Sequence, residues 1–230
     1  MKFKKNLTII EVFKMVKEVL SLDELTDEHG EFLVKLARTS VEEWVNFGRR
    51  IPTPSDAPKI LYKKAGAFVT LNIRLNEHEE LRGCIGTLYP VQSLIDTVID
   101  RAIDAATNDP RFPPVSPDEL NKIIVEVSVL SPPKLVQVKN PEEYLEKIVI
   151  GRDGLIIEWR GFAGTLLPQV PVEFGWNVEE FLRNLCMKAG LPPDWWRRKD
   201  VKIYAYQARI WKEETPKGKV KRIELIPKKD

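Results

Sequence analysis

The links between the β-prone runs of this chain are short enough to favour antiparallel pairing. Ala67–Leu75 and Ile85–Tyr89 flank the polar stretch Asn76-Glu77-His78-Glu79, while Gly151-Arg152-Asp153-Gly154 and Arg160-Gly161 separate runs at 148–150, 154–159 and 162–167. A parallel crossover needs about a dozen residues or more, whereas a hairpin closes over a few. Residues 122–131 alternate, with Ile123, Val125, Val127 and Val129 on one face and Glu126 and Ser128 on the other. Val201–Trp211 reads as another strand, and the basic tail from Lys212 is expected to be loose at its end. Strands joined by such turns beside clustered helices predict an α+β fold, a mainly antiparallel sheet flanked by helices, rather than a doubly wound parallel sheet.

The helices show as apolar stripes. Ile9, Val12, Phe13, Val16 and Leu20 share one face; Phe32, Leu33, Leu36, Ala37, Val41, Trp44 and Val45 share another. Thr26 is the expected N-cap of the second helix and Gly48 its stop. A third helix spans about 93–107, a short one lies near 141–146, and another runs over 178–189 between Asn177 and Gly190. Ser116-Pro117-Asp118-Glu119 carries a cap serine, a proline at the first helical position and a glutamate reaching back.

A chain of 230 residues with 43% hydrophobic composition can build a core without staples. Its net charge of +2 calls for neither nucleic acid nor anionic lipid. Two distant cysteines, no CxxC and two histidines argue against a disulfide framework and a Cys/His zinc site, so no metal is expected. The basic N-terminus leads into an amphipathic stretch broken by Glu11, Lys14 and Lys17, unlike a signal peptide, and no apolar run approaches a membrane span. A soluble, cytoplasmic protein is expected. The 30% charged composition, rich in Lys, Glu and Ile, points toward a thermophile.

Leu81-Arg82-Gly83-Cys84-Ile85-Gly86-Thr87 is the segment that folding explains least. Strand alternation puts Arg82, Cys84 and Gly86 on one face. The guanidinium would then lower the thiol pKa, and the glycines would leave backbone open to a ligand. Against this stands an inert, packed cysteine. His78 falls in the turn, so a Cys–His dyad is not expected; Cys186 falls on an apolar helix stripe and reads as core. Asp96, Asp100 and Asp104 line one helix face and read as solvated rather than metal-binding. Asp109, Arg111 and Phe112 sit in a proline-stiffened loop, either presented to a ligand or paired with each other. Gln169 and Glu173, leaving a strand among apolar residues, either reach a ligand or stitch strand ends together. Trp195-Trp196-Arg197-Arg198-Lys199 combines the ingredients of base stacking on a phosphate track, with a core lid and solvated basic rim as the plainer reading.

Five ordered segments, LRGCIGT (81–87), DPRFP (109–113), VEVSVLS (125–131), LLPQV (166–170) and KAGL (188–191), resemble the AMMECR domain family. The resemblance runs from about the second helix to the strand near 201–211. It implies an α+β domain of two lobes with a cleft where the signature lies, taken here as 1–212 with a basic C-terminal segment at 213–230. It also implies a functional link to Memo-like and radical-SAM proteins. It carries no established reaction and names no cofactor. The candidate roles are therefore catalytic for Cys84, Asp109 and Glu173, and binding for Arg82, Gly83, Gly86, Thr87, Arg111 and Gln169. The expected function is an enzyme, or enzyme subunit, holding a small or peptide-like substrate against this segment. The alternative is a non-catalytic adaptor for a protein or RNA partner.

Overall fold

A computed structural model describes residues 18–75 and 78–226. The first expected helix lies outside these residues except for its last member, Leu20, which is buried. In chain order the elements are α1 (Asp27–Phe47), β1 (Gly66–Leu75), β2 (His78–Thr87), α2 (Leu94–Thr107), β3 (Ile123–Leu130), β4 (Lys134–Leu135), α3 (Tyr144–Lys147), β5 (Gly154–Trp159), β6 (Phe162–Leu166), α4 (Gln169–Phe174), α5 (Val178–Lys188), β7 (Lys202–Tyr206), β8 (Ala208–Glu213) and β9 (Val220–Ile223). The fold is α+β with antiparallel sheets, as the short links require.

The chain divides into two compact units, one comprising residues up to Val129 plus Trp211–Lys221, the other Leu130–Ile210 plus the residues from Arg222. The first holds most of the sheet ordered β2-β1-β3-β8-β9. Its core gathers Leu33, Ala37 and Val41 of α1, Ile95, Val98 and Ala102 of α2, and the inward residues Val69, Leu71, Val125, Val127 and Trp211 of the strands. α1 starts where Thr26 accepts the His29 amide, with His29 Nδ1 accepting the Thr26 amide in return, and stops at Gly48 at φ 64°. Gly30 of α1 lies flat against the Trp211 indole, where any Cβ would overlap the ring.

One buried ion pair ties this unit together. Arg38 of α1 donates from Nε to Glu213 Oε1 at 3.0 Å and from Nη2 to Glu213 Oε2, while Nη1 reaches the Leu120 carbonyl at 3.1 Å and Nη2 that of Ile123 at 2.6 Å. Glu213 Oε2 also accepts the Val125 amide at 2.9 Å. A buried pair with its donors and acceptors satisfied is near neutral for stability as a whole. Removing one member leaves an unpaired buried charge at a cost of about 3–5 kcal/mol.

The second unit contains the sheet β4-β7-β5-β6. α5 covers it with Phe181, Leu182, Leu185 and Cys186, packed against Leu155, Ile157, Ile203 and Trp196. Asn177 and Glu180 cap α5 reciprocally, and Gly190 at φ 74° ends its last turn.

The structure departs from the sequence pattern at several places. Residues 148–150 form a turn, not a strand, because the buried Asp153 carboxylate accepts the Val149 amide at 2.9 Å and is clasped by Arg152. Residues 169–174 form the short helix α4 in spite of two nearby prolines: Pro168 is its N-cap and Pro171 falls in the first turn, where no amide is needed. The run Val201–Trp211 breaks at Gln207, whose amide and carbonyl bond to Ser131, so its halves serve different sheets. The tail contributes Glu213 to β8 and Val220–Ile223 as β9, while its end, expected to be loose, lies outside the described residues at 227–230. Ser116 and Glu119 do make the reciprocal cap, but over a single 3-10 turn, Pro117–Glu119, that runs straight into β3.

The hairpin of β1 and β2 also departs from simple alternation. Leu71 faces Gly83 whereas Asn72 faces Leu81, leaving Arg82 as the extra residue of a bulge. A Cβ on Gly83 would lie 2.0 Å from the Ala105 carbonyl oxygen of α2, and one on Gly86 would lie 2.2 Å from the Phe68 ring. Backbone cannot move as a side chain can. Gly83→Ala should therefore lower stability by about 1–3 kcal/mol or more, and Gly86→Ala by clearly less, because Phe68 can rotate. Urea midpoints compare the two; equal losses would contradict this reading of the helix contact.

Candidate functional site

The site is built where β2 meets the loop that follows α2. Cys84 pairs with Thr70 across the hairpin, on the sheet face opposite Val69 and Leu71, and the Thr70 hydroxyl donates to Cys84 Sγ at 3.3 Å. α2 ends at Asn108, and Asp109, only 4% exposed, turns back toward the strand. Its Oδ2 accepts the Cys84 amide at 2.8 Å. The same carboxylate accepts Arg111 through its amide at 3.1 Å, Nε at 2.9 Å and Nη2 at 2.7 Å. Cys84, Asp109 and Arg111 are thus joined by direct hydrogen bonds, with Arg111 half exposed.

Arg82 goes elsewhere. Its guanidinium clasps Glu119 at 2.6 and 3.1 Å and donates to the carbonyls of Pro113 and Pro114. The bulge is what releases it from the alternating pattern. Its expected role beside the thiol is therefore replaced by one in locking the proline loop, and Arg111 is the cation that acts on Cys84.

The electrostatics follow from these partners. Burial pushes the Cys84 thiol above its ordinary pKa; the Thr70 hydroxyl and Arg111 oppose the rise, while Glu126 and Asp109 add to it. The expected lowering of the thiol by arginine is overturned: desolvation outweighs the cation, and the thiol is neutral at pH 7. Arg111, aided by the Cys84 amide and its own, holds the Asp109 carboxyl well below the usual carboxylate range against the cost of burial. A carboxylate so engaged fixes geometry and does not exchange protons near neutrality. Arg82 likewise brings Glu119 down to about 2, with the Ser116 amide assisting and burial opposing.

The glycines do not open the strand. The space beside Gly83 is filled by the Ala105 carbonyl and that beside Gly86 by Phe68, so the approach surface expected there is taken up by the protein itself. Thr87 ends the strand with its hydroxyl directed to the Tyr89 carbonyl at 3.4 Å. Gln169 and Glu173 stand one helical turn apart on α4 in the second unit, Gln169 buried and Glu173 exposed, and each has partners of its own. His78 is exposed at the far end of β2, six residues and roughly 20 Å of strand from Cys84.

The remaining candidates are absorbed by pairing. Asp96 and Asp100 are bound by Arg50, and Asp104 by Arg101. Among the described residues no cluster of three or more His, Cys, Asp or Glu could hold a metal ion. Arg197 is bridged to Glu142 and Glu179 and Arg198 to Asp200, while Trp196 is fully buried. Two neighbours of Cys84, Thr70 and Glu126, escaped notice in the sequence, as did Phe68, which packs over Gly86. Alternation alone placed Glu126 opposite the apolar residues of β3, but only the strand order brings it to Cys84.

The AMMECR1 family model matches residues 34–211, which span both units. The chain belongs to this family. It is 53% identical over 204 residues to protein PF1979 of Pyrococcus furiosus, covering 88% of this chain and 97% of that protein. It is 52% identical over 196 residues to protein MJ0810 of Methanocaldococcus jannaschii, covering 85% and 96%. The crystal structure of the uncharacterized protein PH0010 from Pyrococcus horikoshii superposes with a TM-score of 0.84 at 50% identity, covering 87% of this chain and 99% of that one. AMMECR1 relatives thus include proteins of thermophilic archaea, in keeping with the charged composition. Their names carry no reaction.

Two outcomes check the electrostatics. Alkylation of Cys84 by iodoacetamide should be slow at pH 7 and rise only above the ordinary thiol range; Arg111→Ala should move its midpoint to higher pH, and Arg82→Ala should leave it in place. A larger shift from Arg82→Ala would overturn the assignment. Glu119, whose folded pKa is depressed, contributes stability in full above about 4.5 that is lost as pH falls toward about 2. Glu119→Gln should flatten the acid limb of stability across that interval, measured by urea unfolding at stepped pH.

Proposed function

We propose that the chain binds a small or peptide-like substrate on the Cys84 face of its first sheet, as an enzyme or as the substrate-holding subunit of one. The observation that carries this reading is the carboxylate of Asp109, which fastens the Cys84 amide and the Arg111 guanidinium to one point. Asp109 bonds Nε and Nη2, leaving Nη1 outside that pair at a half-exposed side chain. An arginine held in this way meets a carboxylate or another anionic group with its orientation already fixed. Thr70 and Cys84 then form the adjoining wall, a hydroxyl and a neutral thiol suited to contact with an uncharged part of the ligand.

In this reading Arg111 is the binding residue, Asp109 the positioning residue, and Arg82 with Glu119 the brace of the loop. Cys84 becomes a nucleophile only if a bound substrate or a second component removes its proton, since its resting form is the thiol. Gln169 and Glu173 remain candidates of the second unit, with no role assigned from their geometry.

A thermal-shift screen of small anionic and peptide-like compounds tests the proposal. Ligands that raise the melting temperature should carry an anionic group, and Arg111→Ala should weaken them about tenfold or more. Alkylated Cys84 should also reduce the shift. Ligands that stabilise the wild type, Arg111→Ala and the alkylated protein alike would place binding elsewhere and end this reading.

A further inference from the structure

The second unit carries a surface that the Cys84 site does not use. Among the described residues β6 stands at the end of its sheet, and its five residues, Phe-Ala-Gly-Thr-Leu, include no charge and no proline. Soluble proteins usually guard an edge strand with lysine, proline or a bulge, because its unpaired amides and carbonyls recruit other strands. β6 has none of these, its register with β5 is unbroken, and Phe162 is 47% exposed.

The turn leading into β6 is unusual in a second way. Arg160 and Gly161 both have positive φ, 43° and 92°. A two-residue hairpin turn of this kind favours asparagine, aspartate or glycine at its first position, so an arginine there holds strained backbone. Its side chain is 72% exposed, with the guanidinium carbon 5.0 Å from the Trp159 ring centroid. Trp159 meets Trp195 edge-on at 4.4 Å and lies 6.0 Å from Phe162. Arg198 sits 5.0 Å over Trp195 and 5.7 Å over Trp159. Three aromatic rings and two guanidinium groups therefore border the start of this edge strand. Asp200 is the carboxylate they share: it accepts Trp159 Nε1 and Arg198 Nε, both at 2.9 Å, and pairs with Arg160 at 3.5 Å.

We propose that β6 is a docking edge for an extended segment of a partner protein, which adds to the sheet as a further strand and sets an aspartate or glutamate against Arg160 and Arg198. Main-chain hydrogen bonds to β6 supply affinity, and the carboxylate fixes register at the Phe162 end, where the aromatic ledge receives an apolar neighbour. Two arginines against one aspartate leave the ledge cationic, which selects an acidic segment. A second copy of this chain fits less well, because its own β6 offers no carboxylate. RNA fits less well because Asp200 stands among the cations, and base stacking makes no use of an open backbone edge.

Screening the full chain against random peptides tests the inference, followed by affinity measurements on the recovered peptides and amide hydrogen exchange. Peptides enriched in Asp and Glu beside apolar residues are expected, and they should slow exchange within Phe162–Leu166. Arg160→Gly should weaken them about tenfold while raising the melting temperature by a few degrees, since it relieves the turn. Arg198→Ala should weaken them without that gain. The proposal is overturned if acidic peptides are not enriched, if Arg160→Gly leaves affinity unchanged, or if exchange in Phe162–Leu166 does not slow. Competition by a uridine oligonucleotide, or self-association abolished by Arg160→Gly, would overturn it in favour of RNA or a second copy.

Discussion

The contact on which the candidate site depends is the approach of α2 to β2 at Gly83. With no side chain there, the Ala105 carbonyl comes so near the strand that a Cβ would sit 2.0 Å from its oxygen. That approach sets where α2 ends, and therefore where Asp109 emerges. A helix held farther off would carry the Asp109 carboxylate away from the Cys84 amide, which it now meets at 2.8 Å. The glycine is an element of packing whose consequence is chemical.

From that contact the loop is fixed at both ends. Asp109 anchors its start to β2, and Arg82 anchors its far side through the carbonyls of Pro113 and Pro114 and the Glu119 carboxylate. The prolines limit the conformations available between these anchors. The result holds Arg111 in one place without burying it. Desolvation at the same spot keeps Cys84 protonated, so its resting form is the thiol.

Much of the framework was legible in the chain because it depends on neighbours in sequence. The caps at Thr26, Ser116 and Asn177, the stops at Gly48 and Gly190, and the hairpins are local hydrogen-bond and turn chemistry. Cys186 could be assigned to the core because helical periodicity alone decides it. The bulge at Arg82 could not be read, since it exists only relative to β1, and it invalidated the alternation that paired Arg82 with Cys84. Nor could the break at Gln207, which arises from its bonds to Ser131, a residue distant in sequence.

The sequence by itself determined the α+β class, the antiparallel hairpins and the family, and it singled out Cys84, Asp109 and Arg111 as candidates, because motif, periodicity and turn chemistry are written locally. Only the tertiary structure decided what those residues do. Whether a glycine opens a strand or receives a neighbouring carbonyl, and which arginine faces a thiol, depend on contacts between segments brought together by folding. The same holds for the thiol's protonation, which burial sets more strongly than any charge nearby. The segment LRGCIGT lies within the stretch that the family model matches, while the meeting of α2, β1 and β2 assigns its glycines to packing, Arg82 to the loop, and Cys84 to the company of Asp109 and Arg111.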